Sequence, residues 1–216
     1  MAAGLVLGFF RGSAGHGTGD YAAGRSPKLL ETSLSRRATP STRTFTDYLE
    51  ATADRSGMYT LVAAHTGAQR VLYTVSNLDV RPSWTWPDVT YVDSDQRTKN
   101  AFADTASAIR LAAQHKSYER EPNIRFLGGD YNRVLGALPV ASWDLVISLH
   151  PGPVGENAAR CLKPGGWLLA KENTPDPDYR LNALVLHAKG KYRLVTDDLT
   201  RPAAAYLFQR VGSQEP

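Results

Sequence analysis

The sequence lacks most of what would tie it to a secreted, membrane-spanning or metal-bound protein. It holds one cysteine, Cys161, so no disulfide can close within the chain, which fits a reducing compartment. No run of about 18 apolar residues occurs, so no segment is expected to span a bilayer, and no membrane partner is expected. The opening MAAGLVLGFF is apolar, but no Lys or Arg precedes it. A secretory leader begins with such a basic region, so the expected location is cytoplasmic. No His, Cys and Asp stand at metal-ligand spacing, so no metal is expected, and no Gly-x-Ser-x-Gly elbow appears. One absence is local: from Tyr73 to Asp88 there is no glycine.

What is present suffices for a large core. Of 216 residues, 42% are apolar and 9% aromatic, enough for one sizeable domain with a small extension. The net charge of +4 is modest. Much of it lies in residues 1–44, where Arg11, Arg25, Lys28, Arg36, Arg37 and Arg43 face only Asp20 and Glu31. A weakly basic stretch of this kind reads as a solvated arm, and a nucleic-acid partner is not expected.

Residues 11–44 are rich in Gly, Ser, Thr and Arg without a sustained period, so 1–44 is read as a weakly ordered arm, with a short helix near Pro27–Leu34. The rest, 45–216, reads as one α/β domain with helices at its start. Phe45, Tyr48, Leu49, Leu61 and Val62 have helical spacing, with Gly57 as the expected break between two helices. Strands are expected at VLYTVS (71–76), VTYVD (89–93), NIRFLGGD (123–130), WDLVISLH (143–150), WLLAKE (167–172), YRLVTDD (192–198) and AAYLFQRV (204–211). Residues 96–116 read as one helix and 155–166 as another, and NALVLHA (182–188) as a third helical stretch. Alternating strands and helices imply a doubly wound, mostly parallel sheet of seven strands. The last two strands are joined too tightly for a crossover, so one of them runs antiparallel. Only Asn77 to Asp88 links the first two strands, and its prolines leave room for one or two helical turns at most. Trp84 and Trp86 are then expected to cover the sheet where a longer helix would lie.

Several landmarks stand in order: an acid ending the second strand (Asp93), another after the third (Asp130), the strand DLVISLH, and the turn LKPGGWLLAKE. This order resembles the class I S-adenosylmethionine-dependent methyltransferases over about residues 60–211. The stretch after the first strand resembles a subgroup with a degenerate first motif, in which Tyr73, Ser76, Asp79, Pro82, Ser83, Trp84 and Pro87 match and Thr74 and Val75 stand in place of Pro-Gly. The resemblance implies a Rossmann-like fold, S-adenosylmethionine as cofactor and a small-molecule substrate. It places the cofactor against Tyr73, Ser76, Asn77, Asp93, Ser94, Asp130, Tyr131 and Leu149, with Asp93 on the ribose hydroxyls and Asp130 near the adenine amino group.

Each residue also has a plainer reading. Asp93 and its neighbours could cap the helix from residue 96, Asp130 could be a turn residue, and Tyr131 could pack in the core. His150 ends the fourth strand, where open α/β sheets bind ligands, and with Glu156 nearby is the candidate general base; a lone histidine also serves as a hydrogen-bonded filler. Cys161 reads as structural. The expected activity is methyl transfer to a small molecule. The alternatives are an enzyme of this fold that catalyses cyclisation or rearrangement in secondary metabolism, and a non-catalytic interaction protein. The sequence names neither a substrate nor an oligomeric state.

Overall fold

The computed structural model describes residues 40–150, 156–173 and 178–211. Most of the arm, including the helix expected near Pro27–Leu34, lies outside the described residues. Helix α1 (Pro40–Ala51) starts on a proline, whose missing amide has no partner to lose at a first helical position. Helix α2 (Ser56–Thr66) ends at Gly67, which takes φ 65° and returns its amide to the Ala63 carbonyl. The break between them falls at Thr52–Arg55, not at Gly57. Asp54 Oδ1 accepts from the Ser56 amide at 2.8 Å, so the second helix starts ahead of the glycine.

The strands are β1 (Arg70–Thr74), β2 (Asp88–Asp93), β3 (Asn123–Gly128), β4 (Trp143–Ser148), β5 (Leu162–Ala170), β6 (Tyr179–Ala188), β7 (Lys191–Val195) and β8 (Ala205–Arg210). They lie in the order β3-β2-β1-β4-β5-β8-β6-β7. The first five pair in parallel, and β8 runs antiparallel to both β5 and β6. This is the expected doubly wound α/β sheet, with eight strands where seven were expected.

The extra strand is β6, which includes the stretch read as helical. Its neighbour β7 completes a hairpin around Lys189 and Gly190, both at positive φ (51° and 74°). Two such residues make the tight turn whose twist suits a hairpin. Strand pairing on both sides of β6 overrides the local helical pattern of NALVLHA. The expectation for the last two strands also changes: β7 and β8 are not neighbours, because β6 lies between them.

Two further elements differ. Residues 96–116 form α4 (Gln96–Phe102) and α5 (Thr105–His115). Asp104 accepts from the Ser107 amide and so starts a new helix within the apolar pattern. The helix expected over 155–166 is described only as α7 (Glu156–Ala159), and the chain is already strand at Leu162. The Lys163–Gly166 turn lies inside β5, whose pairing to β4 shifts there from Leu162 to Trp167. A Cβ on Gly166 would stand 2.8 Å from the Lys163 carbonyl oxygen, so the turn requires that glycine.

Both faces of the sheet are covered. On one, Phe45, Tyr59, Trp86, Tyr91 and Phe102 pack with the first helices and with α4 and α5. On the other, Leu72, Leu135, Trp143, Cys161 and Phe208 form a second cluster with α6 (Tyr131–Gly136) and α7. Cys161 is buried there, as its structural reading requires. Among the described residues no helix is long and apolar enough to cross a membrane.

Candidate functional site

The strand order reverses direction between β1 and β4, because β1 leads to β2 on one side while β4 and β5 continue on the other. Open α/β sheets leave a crevice at the carboxyl ends of their strands at such a point. Residues at the ends of β1, β2 and β4 meet there.

After β1 the chain makes a sharp turn. The Val75 amide donates to the Val92 carbonyl at 2.9 Å, and the Asp79 amide donates to the Ser76 carbonyl at 3.2 Å. Val75 and Asn77 both take positive φ, 52° and 50°. Asp93 holds this turn from the end of β2. Its Oδ2 accepts from the Asn77 amide at 2.7 Å and its Oδ1 from the Asp95 amide at 2.8 Å. The cap of α4 is a different acid, Asp95, which accepts from the Thr98 amide at 2.9 Å. Asp93 is only 4% exposed. The Asn77 side chain reaches across the reversal to His150, with Nδ2 and Nε2 2.7 Å apart. Asp93, Asn77 and His150 thus form one connected line over three strand ends.

The other candidate residues fall in three groups. Ser94 is exposed just beyond Asp93, and Leu149 is buried beside His150, so both adjoin the line. Asp130 is exposed and accepts from the Arg133 amide at 2.9 Å, which is a cap for α6. Tyr131 packs half-buried against the second cluster, and burial pushes its hydroxyl up despite a bond to Thr74. Tyr73 and Ser76 are buried, at 1% each. The Tyr73 side chain belongs with Val71 to the first cluster, on the face opposite Leu72. Glu156 opens α7, and its side chain lies outside the described residues.

A buried polar cluster stands behind the turn. Asp79 accepts from the Tyr59 hydroxyl at 3.0 Å and pairs with Arg81 at 3.2 Å, both residues almost fully buried. Arg81 also donates to the Leu49 carbonyl at 2.6 Å and the Thr52 carbonyl at 3.3 Å, at the end of α1. Burial, with Asp79 adding to it, raises the hydroxyls of Tyr59 and Tyr73 above the usual range, so both stay protonated donors. Asp79 was visible in the sequence only as one residue of a family pattern. Nothing local marks the reach of Arg81 to α1 or of Tyr59 to Asp79, because those partners lie 20 or more residues away.

The connection from β1 to β2 contains one four-residue helix, α3 (Pro82–Thr85). Trp86, at 1% exposure, fills the space against the sheet and meets the Tyr59 ring edge-on at 5.9 Å. The expectation of a short connection covered by tryptophan therefore holds.

No protein-family model matches the chain, and no curated protein does. Among solved structures it is similar to an O-methyltransferase from Bacillus cereus in complex with S-adenosylhomocysteine, at 11% identity and a TM-score of 0.49. That match covers 80% of this chain and 91% of the other. It is also similar to the O-methyltransferase TomG from Streptomyces achromogenes, involved in tomaymycin synthesis and bound to S-adenosylmethionine, at 11% identity and a TM-score of 0.49. Here 81% of this chain and 91% of the other are covered. The fold assignment rests on the strand order itself.

Proposed function

We propose that the crevice binds S-adenosylmethionine and that the protein transfers its methyl group to a small-molecule substrate. The observation that carries this reading is the Asp93–Asn77–His150 line across the sheet's reversal point. A carboxylate has about four acceptor positions, and two amides occupy part of that capacity in Asp93. The remainder suits ribose hydroxyls, with Ser94, Asp130, Tyr131 and Leu149 around the nucleoside.

Bound S-adenosylmethionine supplies a methyl group already activated on sulfonium, so the protein's part is alignment and proton removal. His150 would take the proton of a substrate hydroxyl or amine. As the Asn77 amide is placed, it donates to Nε2, and neutral His150 then carries its proton on Nδ1. Turning that amide over makes Nε2 the donor and frees Nδ1 as the acceptor a general base needs. We place the reaction in the cytoplasm, on a metabolite of secondary metabolism, with neither nucleic acid nor membrane as partner.

A second reading has its own support. Val75, a β-branched residue, holds left-handed backbone where a ligand would approach β1 most closely, and both Asp93 oxygens already accept backbone amides, one from Asn77 and one from Asp95. These features favour an enzyme of this fold that does not methylate and instead directs a cyclisation or rearrangement.

Calorimetric titration with S-adenosylmethionine and S-adenosylhomocysteine separates the two. Wild type is expected to bind both. Asp93→Asn, which keeps one acceptor oxygen for the turn, is expected to weaken binding about tenfold to a hundredfold while the protein stays folded. Binding unaffected by Asp93→Asn would refute the placement of the ribose. No binding to wild type would favour the second reading.

A further inference from the structure

Val75 is the one β-branched residue among the described residues with φ in the left-handed region. Asn77, Ala141 and Lys189 also have positive φ, but asparagine tolerates that region well, and the last two lie in turns away from the crevice. A valine there is strained, because its Cβ crowds the following carbonyl.

The surrounding bonds explain why the strain persists. The Val75 amide is fixed to the Val92 carbonyl, and the Asn77 amide to Asp93. The Asp79 amide closes the turn on Ser76, and the Asp79 side chain is held in the interior by Tyr59 and Arg81. The chain is therefore pinned on both sides of Val75, and residue 75 must accept the φ that remains. Its side chain is partly exposed, at the point where β1 opens into the crevice. A glycine would hold the same backbone without strain and would let a ligand approach it closely.

We propose that Val75 is the specificity-determining residue of this site: its isopropyl group limits how closely an adenosyl ligand can approach the end of β1. This rests on the reading of the crevice as a nucleoside site. A ligand that makes its contacts through His150, at the end of β4, is hindered less. Val75 thus lowers affinity for the adenosyl group relative to a ligand held away from the end of β1.

The test uses the full chain with S-adenosylhomocysteine as probe, and compares wild type with Val75→Gly and Val75→Ala. Alanine removes the branched bulk and keeps a Cβ in left-handed backbone, whereas glycine removes both. Calorimetry is expected to show affinity rising about tenfold or more for glycine, with alanine between it and wild type. The unfolding temperature is expected to rise by a few degrees for glycine and to change less for alanine. If wild type binds and neither variant binds tighter, the proposal fails, whatever happens to stability, and the nucleoside reading stands. If wild type does not bind and glycine does, the proposal holds and the second functional reading gains. If no variant binds, the nucleoside reading fails and takes the proposal with it.

Discussion

The connections from β1 to β2 and from β2 to β3 cover the same face of one sheet by opposite means. Residues 94–122 form their own cover. Asp95 and Asp104 each start a helix, and Ala101, Phe102, Ala108 and Leu111 line the buried side. Residues 75–87 manage one short helix and depend on distant parts of the chain. Trp86 fills the gap, Tyr59 of α2 reaches in to Asp79, and Arg81 reaches out to the last carbonyls of α1. A crossover with too little chain to bury its own surface can thus be completed by elements from before the sheet, tied on by hydrogen bonds from Arg81 and to Asp79. The difference matters because the crossover without its own cover is the one that brings Asn77 to Asp93 and His150.

The largest effect should follow from cutting that tie. Arg81→Met leaves buried Asp79 with only the more distant Arg55, 3.8 Å away, and leaves the carbonyls of Leu49 and Thr52 without their donor. Breaking one side of a buried pair costs about 3–5 kcal/mol, so a large drop in denaturant midpoint is expected. A loss under about 1 kcal/mol would show that α1 and the β1–β2 connection are not joined in this way.

The self-covered crossover should respond more weakly to the loss of one feature. Asp104→Ala removes the α5 cap and should cost about 1 kcal/mol in the same measurement. A loss as large as that of Arg81→Met would erase the contrast between the two connections.

The smallest effect concerns acid. The bond from the Thr98 amide holds Asp95 below the usual carboxylate range, against some loss of hydration. A carboxyl depressed by folding contributes stability that is complete above its unfolded value of about 3.8 and is lost as pH falls through its lower folded value. Asp95→Asn caps as well but does not titrate. Its stability should therefore match wild type near neutrality and fall less steeply below about pH 4. Identical acid profiles would remove this contribution.

Much of the fold was legible because it is written locally. Apolar runs mark β1 to β4, the glycine pair of LKPGG marks the turn within β5, and two prolines limit the helix after β1. The misreadings have physical causes. NALVLHA carries both a helical and a strand pattern, and only pairing with β7 and β8 decides between them. The Lys189–Gly190 turn was the signal that favoured a hairpin. Asp104 divides an apolar pattern that runs smoothly through it. At the site, Asp93 and His150 were legible as residues at strand ends. The face that Tyr73 takes follows from strand alternation, which puts it with Val71. The tie through Arg81 was not legible, because it joins residues 49–52 to residue 81 through space.

The central claim is that the ends of β1, β2 and β4 form a site for an adenosyl ligand. Hydrogen exchange of the wild-type chain with and without S-adenosylhomocysteine tests it most directly. Slower exchange is expected at the amides of residues 75–79, 93–95 and 149–150, with α5 unchanged. Protection centred instead on the cavity of about 310 Å³ between Leu49, Trp84 and His115, or no protection anywhere, would contradict the claim.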